Sequence, residues 1–151
     1  MKKKAPHNLY QDAIIAHSQH PNHYHELKKF THSAKGYNPV CGDDLTVYAN
    51  VIDGTFQDLS FVGDCCAVCK CSASLMADRL QNVNINEFKN IFDQFNRLLQ
   101  QKLNPDQDKH DLRGISILKG IWDYPSRIKC ANLSWHALEA ALNHKSQIST
   151  E

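Results

Sequence analysis

The 151-residue chain has a formal net charge of +1, with 42% hydrophobic and 22% charged residues. That length supports one domain with a real core, and the near-neutral charge excludes a general electrostatic pull toward nucleic acid or a membrane surface. Lys2, Lys3 and Lys4 resemble the basic start of a signal peptide, but His7, Asn8, Gln11 and Asp12 interrupt any apolar run; the expectation is a cytoplasmic protein with no leader and no membrane span.

Leu9 to His20 reads as a helix, with Leu9, Ala13 and Ala16 on one face and Pro21 stopping it. The polar stretch that follows reads as irregular to about Gly36, and residues before Cys41 are available as a strand. From Leu45 to Val51 the pattern alternates, with Leu45, Val47, Ala49 and Val51 on one side and Thr46, Tyr48 and Asn50 on the other, as in a half-buried strand. Asp53-Gly54 is a hairpin signal, and the return strand is expected over about 56–62. Asp64 is the candidate N-cap of a helix through Leu80, and a second helix is expected from about Asn84 to Leu103, with a stripe of Phe88, Ile91, Phe92, Phe95, Leu98 and Leu99. A short helix near Asp111 to Ile121 and a longer one from about Ile128 to Asn143 complete the order. Strands first and helices later predict an α+β fold, a small antiparallel sheet of about three strands against helices, in one domain over 1–151 with about 1–7 and 145–151 frayed.

In a reducing compartment six cysteines point to metal or sulfur chemistry before a disulfide framework. They stand at three stations. Cys41-Gly42-Asp43 offers a thiolate and a carboxylate from one turn. The run Cys65-Cys66-Ala67-Val68-Cys69-Lys70-Cys71 puts Cys66 in a helix's first turn, where free N–H groups favour a thiolate. Cys130 lies at another helix start, with Arg127 and Lys129 nearby to lower its pKa. Cys41, Asp43, Cys66 and Cys130 would make a Cys₃Asp site, suited to tetrahedral Zn²⁺ or to the edge of an iron–sulfur cluster. The one hard carboxylate predicts a centre that releases its cargo readily.

NPVCGDDLTV, FVGDCCAVCKCSASLM and YPSRIKCANLSW resemble the three cysteine blocks of the IscU/SufU family of iron–sulfur cluster assembly proteins, and the likeness runs from Leu9 to Leu142. It is nearer the SufU branch. RGISILKGIWDYPSRIKC resembles that branch's insertion, the LPPVK motif of IscU is missing, and Lys129 stands where IscU carries His before its third cysteine. The resemblance implies that Cys41, Asp43, Cys66 and Cys130 ligate Zn²⁺ and that a pyridoxal-phosphate cysteine desulfurase (SufS-like) hands persulfide sulfur to Cys41. Arg127 matches the Arg of the third block and is a candidate to support Cys130 or a persulfide's charge. The resemblance implies an alternative, a scaffold assembling a [2Fe–2S] cluster from iron at the same site, in which the third-block cysteine, here Cys130, takes the sulfur; either form would serve downstream iron–sulfur assembly or acceptor proteins.

The second block departs from the family pattern, carrying Cys65-Cys66 where one cysteine preceded by Gly is usual, and Cys69 and Cys71 where Ser or Ala stand. Cys69 shares a helix face with Cys66 and is a candidate extra ligand, sulfur relay or disulfide partner; its alternative reading, and that of Cys65 and Cys71, is a small packed residue. Cys66-Ala67-Val68-Cys69 also reads as a redox CxxC, against the missing βαβ pattern. His17, His20, His23, His25 and His32 form a loose cluster, read as solvated rather than metal-bound. Trp122 and Trp135 read as core or partner-contact residues.

Overall fold

The structure, a computed structural model, describes residues 6–150, with side chains from Leu9 onward. The lysine run Lys2–Lys4 and the expected fraying of 1–5 and of Glu151 lie outside the described residues. Helix α1 (Pro6–Gln19) starts inside the stretch expected to fray, with Pro at the first helical position, where no N–H is required. Strands β1 (His32–Asn38), β2 (Asp43–Ile52) and β3 (Thr55–Asp64) form an antiparallel meander. Helices α2 (Ala67–Leu80) and α3 (Ile85–Leu99), a 3₁₀ helix (Arg113–Ile121), a 3₁₀ turn (Pro125–Arg127) and α4 (Ile128–Leu142) follow.

The α+β class is as expected, with one more strand. Gln147–Ser149, expected to fray, forms β4, parallel to β1 on the sheet's open edge, giving the order β3-β2-β1-β4. The edge amides recruit it: Lys35 N–H donates to the Ser146 carbonyl and Thr150 N–H to that of Tyr37, while Ile148 packs on Ala34, Ala140 and Ala141. β1 itself corrects the expected irregular stretch to Gly36. It alternates Ala34, Gly36 and Asn38 inward, residues too small or polar to give a hydrophobic signal.

Leu45, Val47 and Ala49 are buried on β2 as the alternation predicts, until an irregularity at Asn50/Val51 shifts the register. β3 extends to Asp64, paired with Asp44, so Asp64 ends a strand and does not cap α2; Cys66 occupies the N-cap. Asn84 caps α3, its side-chain oxygen accepting from Asn86 N–H at 2.8 Å, and the whole apolar stripe of α3 is buried. That helix stops four residues early, at Leu99, where Gln101 turns to φ 60°. In α2 nearly every position from Cys69 to Ala77 is buried. The helix is enclosed by α1, α4, β3 and the 3₁₀ helix, which its small side chains permit. Trp135 is fully buried, its ring 4.7 Å from Phe95 and 5.5 Å from Phe92, and its Nε1–H donates to Ser72 Oγ. Trp122 is half-buried and donates to the Leu98 carbonyl. No helix among the described residues is long and apolar enough to cross a membrane.

Candidate metal centre

Three chain segments converge at one end of the sheet. The β1–β2 turn, residues 39–42, brings Cys41; Gly42, at φ 71° with open space around it, supplies the left-handed conformation the turn needs. Asn38 and Asp43 close the hairpin opposite each other, and Cys41 N–H donates to the Asn38 carbonyl at 3.2 Å. The exit of β3 delivers Cys66 to the N-cap of α2, and the first turn of α4 delivers Cys130.

Ligand atoms of Cys41, Asp43 and Cys130 all lie within 4.8 Å of one another, the only such grouping of three or more metal-binding side chains among the described residues. Cys130 Sγ is 3.2 Å from Cys41 Sγ. Cys66 joins from the side, its Sγ 4.0 Å from Asp43 Oδ2 and in contact with the Cys130 thiol. Exposure differs sharply: Cys130 and Asp43 are buried, while Cys41 and Cys66 are half-buried. Arg127, exposed at the start of α4, points Nη1 at Cys41 Sγ from 3.9 Å. Lys129 turns instead to a groove shared with Asn132, His136 and Ile148.

The buried Asp43 carboxylate is held on both oxygens. Cys66 N–H donates to Oδ1 at 2.8 Å, and Asn38 Nδ2 donates to Oδ2 at 3.3 Å. The same Asn38 amide reaches Cys130 Sγ at 3.5 Å. Asn38 is only 1% exposed and its Oδ1 has no partner, so the side chain is aimed by its NH₂ group alone. An amide presenting two donors to a carboxylate and a sulfur suits anionic acceptors. Three thiols, one carboxylate and this donor therefore fit a soft divalent metal. Asn38 had no assigned role in the sequence; its pairing opposite Asp43 across a four-residue turn was the available signal.

Contact with the Cys130 thiol, together with the amides of Cys69 and Val68 at the helix start, lowers the Cys66 pKa to about 6 against burial and the Asp43 carboxylate. Cys130 moves the other way from the expectation. Acting as proton donor to Cys66, buried, and touching Cys41, its thiol is pushed up. Arg127 contacts the Cys130 thiol, but the two neighbouring sulfurs and burial outweigh it. Cys69 and Cys71 are fully buried in the core. Cys69 interacts with Cys65, and this contact and burial raise its pKa well above the ordinary value, while burial raises Cys71 to about 12. The five histidines do not converge: His23 pairs with Asp78 at 2.7 Å, His25 bonds the Glu26 carbonyl, and His32 stacks on His144.

The family model of the NifU-like N-terminal domain matches residues 9–131. The iron–sulfur cluster assembly scaffold protein IscU of Streptococcus pyogenes serotype M1 is 30% identical over 135 residues, 89% of this chain and 83% of that protein. The zinc-dependent sulfurtransferase SufU of Bacillus subtilis strain 168 is 31% identical over 131 residues, 87% of each chain. Among solved structures, a protein of Fervidobacterium islandicum AW-1 assigned as an assembly scaffold of the SUF system superposes with a TM-score of 0.78 at 24% identity, covering 91% of this chain and 99% of that one, a likeness of fold. Three cysteine segments meeting beside a four-stranded sheet, and matches over most of the length, place the chain in the NifU-like N-terminal domain family, that of the iron–sulfur cluster assembly scaffolds IscU and SufU.

Proposed function

We propose that the chain is a sulfur acceptor for a cysteine desulfurase, with zinc held by Cys41, Asp43, Cys66 and Cys130 and with Cys41 taking the sulfur. The observation that carries this reading is the unequal exposure of the centre. Cys41 stands half-exposed at a hairpin tip next to Val40, which is 79% exposed, while Cys130 is sealed behind it. A bulky donor can therefore reach Cys41 and not Cys130. Beside the centre, Ile15, Val68, Ile121 and Tyr124 line an apolar hollow of about 280 Å³ that reaches Arg127, a surface suited to a protein partner.

Zinc in this site would keep the thiols deprotonated. The Cys41 thiolate attacks the outer sulfur of the desulfurase persulfide, a bond forms from Cys41 to that sulfur, and the desulfurase thiolate leaves; no net oxidation occurs. Arg127 is placed to balance the charge of the persulfide on Cys41. The relative named as a zinc-dependent sulfurtransferase favours this reading. The relative named as an IscU scaffold favours a second, in which the same four residues hold a [2Fe–2S] cluster as cargo.

The test adds the purified protein to a pyridoxal-phosphate cysteine desulfurase with cysteine and thiol reductant. Alanine production should rise several-fold with the wild type and stay at the desulfurase baseline with Cys41→Ser. Unchanged turnover with the wild type sinks the acceptor reading. Anaerobic reconstitution with iron separates the second one, since a bound cluster absorbs visible light and zinc protein is colourless.

A further inference from the structure

We propose that Cys130 resolves the persulfide formed on Cys41, expelling its outer sulfur as sulfide and leaving a Cys41–Cys130 disulfide. This rests on Cys41 being the acceptor and extends that reading to the fate of the sulfur. Three observations carry it.

First, the two sulfurs are 3.2 Å apart, across 89 residues of sequence. That is closer than the ~3.8 Å which two thiolates on one tetrahedral zinc keep, given Zn–S bonds near 2.3 Å. A thiol–disulfide exchange needs this kind of contact, with the nucleophile entering opposite the leaving sulfur. Second, the surroundings decide which sulfur is attacked. Behind Cys41 the space is filled by Cys130, Asn38 and Asp43, each at most 2% exposed. The added sulfur of a persulfide therefore lies on the open side, and Cys130 meets the inner one, Cys41 Sγ, from the opposite side. Attack there releases sulfide; attack on the outer sulfur, which would only move the persulfide, has no room. Third, the leaving side is cationic, because Arg127 Nη1 stands 3.9 Å from Cys41 Sγ. The guanidinium stabilises the charge of a departing HS⁻.

The step balances without an added reductant. The Cys41 persulfide anion, the Cys130 thiolate and one proton from water give the disulfide and HS⁻. The outer sulfur, delivered as sulfane, leaves with that proton and with two more electrons, one from each cysteine thiolate. An iron–sulfur cluster takes up sulfur as sulfide, whereas a desulfurase delivers it two electrons more oxidised. The pair supplies those electrons once per round, and a dithiol reductant must restore it before the next.

The experiment is anaerobic and free of thiol reductant. Wild-type protein receives limiting cysteine and desulfurase; free sulfide is assayed and the cysteines are mapped by non-reducing peptide mass spectrometry. Wild type should yield close to one sulfide per chain and a Cys41–Cys130 cross-link. In Cys130→Ser the extra sulfur should stay on Cys41 and sulfide should fall by about tenfold or more, as expected when the resolving thiol is gone. Since that variant also removes a candidate zinc ligand, chelator-treated wild type is run beside it and should still release sulfide. Equal sulfide from Cys130→Ser and chelator-treated wild type, or a persulfide that persists on wild-type Cys41, overturns the proposal. Absence of sulfur on Cys41 in every protein, Cys130→Ser included, instead overturns the acceptor reading. Loading with inorganic polysulfide followed by desalting then tests the resolving step alone, and it fails there if wild type forms no Cys41–Cys130 disulfide.

Discussion

The two turns of the β1–β2–β3 meander, some ten residues apart along β2, do opposite work. At one end, residues 39–42 carry Cys41 into a cluster of thiols, and the buried Asn38 and Asp43 spend their polar atoms on that cluster. At the other end, Asp53 and Gly54, both at positive φ, make a tight turn tied down by backbone: Ile85 N–H donates to the Gly54 carbonyl and Thr55 bridges to Asn84. Both turns need a left-handed glycine. The first holds buried titratable groups, Asp43 and Cys130, and is the end the proposed chemistry would use, while the second fixes the register. Substitutions should therefore move metal affinity at one end and folding stability at the other.

Removing a candidate ligand should give the largest effect. Cys66→Ser should weaken zinc binding by more than about 100-fold in chelator competition, above the ~10–100-fold that a supporting residue is worth. Retention equal to wild type would remove Cys66 from the ligand set. Asn38→Ala deprives Asp43 and Cys130 of their shared donor and should cost about 10–100-fold in zinc affinity. In the cobalt-substituted variant the thiolate-to-metal absorption should also shift, which a loss of fold stability alone would not produce.

The pH dependence should follow Cys66. Its pKa is lowered from 9.0 to about 6, so the thiolate's contribution is complete above the ordinary value and lost as pH falls through about 6. Alkylation of Cys66 in metal-free protein should show a midpoint near 6, and zinc should become extractable below it. In Cys130→Ser that midpoint should rise. At the far turn, Gly54→Ala forces a side chain into φ 74° and should cost ~1–2 kcal/mol of stability with zinc affinity unchanged. The smallest effect is expected for Cys69→Ala, about 1 kcal/mol from a buried sulfur lost from the core, with zinc retained; loss of zinc there would make Cys69 part of the centre.

Legibility in the sequence followed the local signals. Alternation along β2, the Asp53-Gly54 turn, the Asn84 cap and the α3 stripe were all readable because each is decided within a few residues. β1 and β4 were not. Ala34 and Gly36 are too small to mark a strand, and Ile148 is the single apolar residue of a three-residue strand that exists only because an edge is open beside it. The three cysteine stations were readable as stations, and Asp64 failed as a cap only because its pairing with Asp44 is a tertiary fact. The direction of the Cys130 pKa was not readable, since it depends on which sulfurs face it and on its burial, facts of the tertiary fold. Cys66 stands half-buried at the N-cap of α2 beside Asp43, while Cys69 and Cys71 lie buried in the core.

The sequence separation of 89 between the touching sulfurs of Cys41 and Cys130 also sets an order of assembly. During synthesis the chain holding Cys41, Asp43 and Cys66 emerges well before Cys130, and the contact closes only when α4 docks on the sheet. Until then a nascent chain offers at most two thiols and a carboxylate at the site, an incomplete cage with weak hold on any metal. On the proposed zinc reading, metal capture therefore waits until α4 has docked.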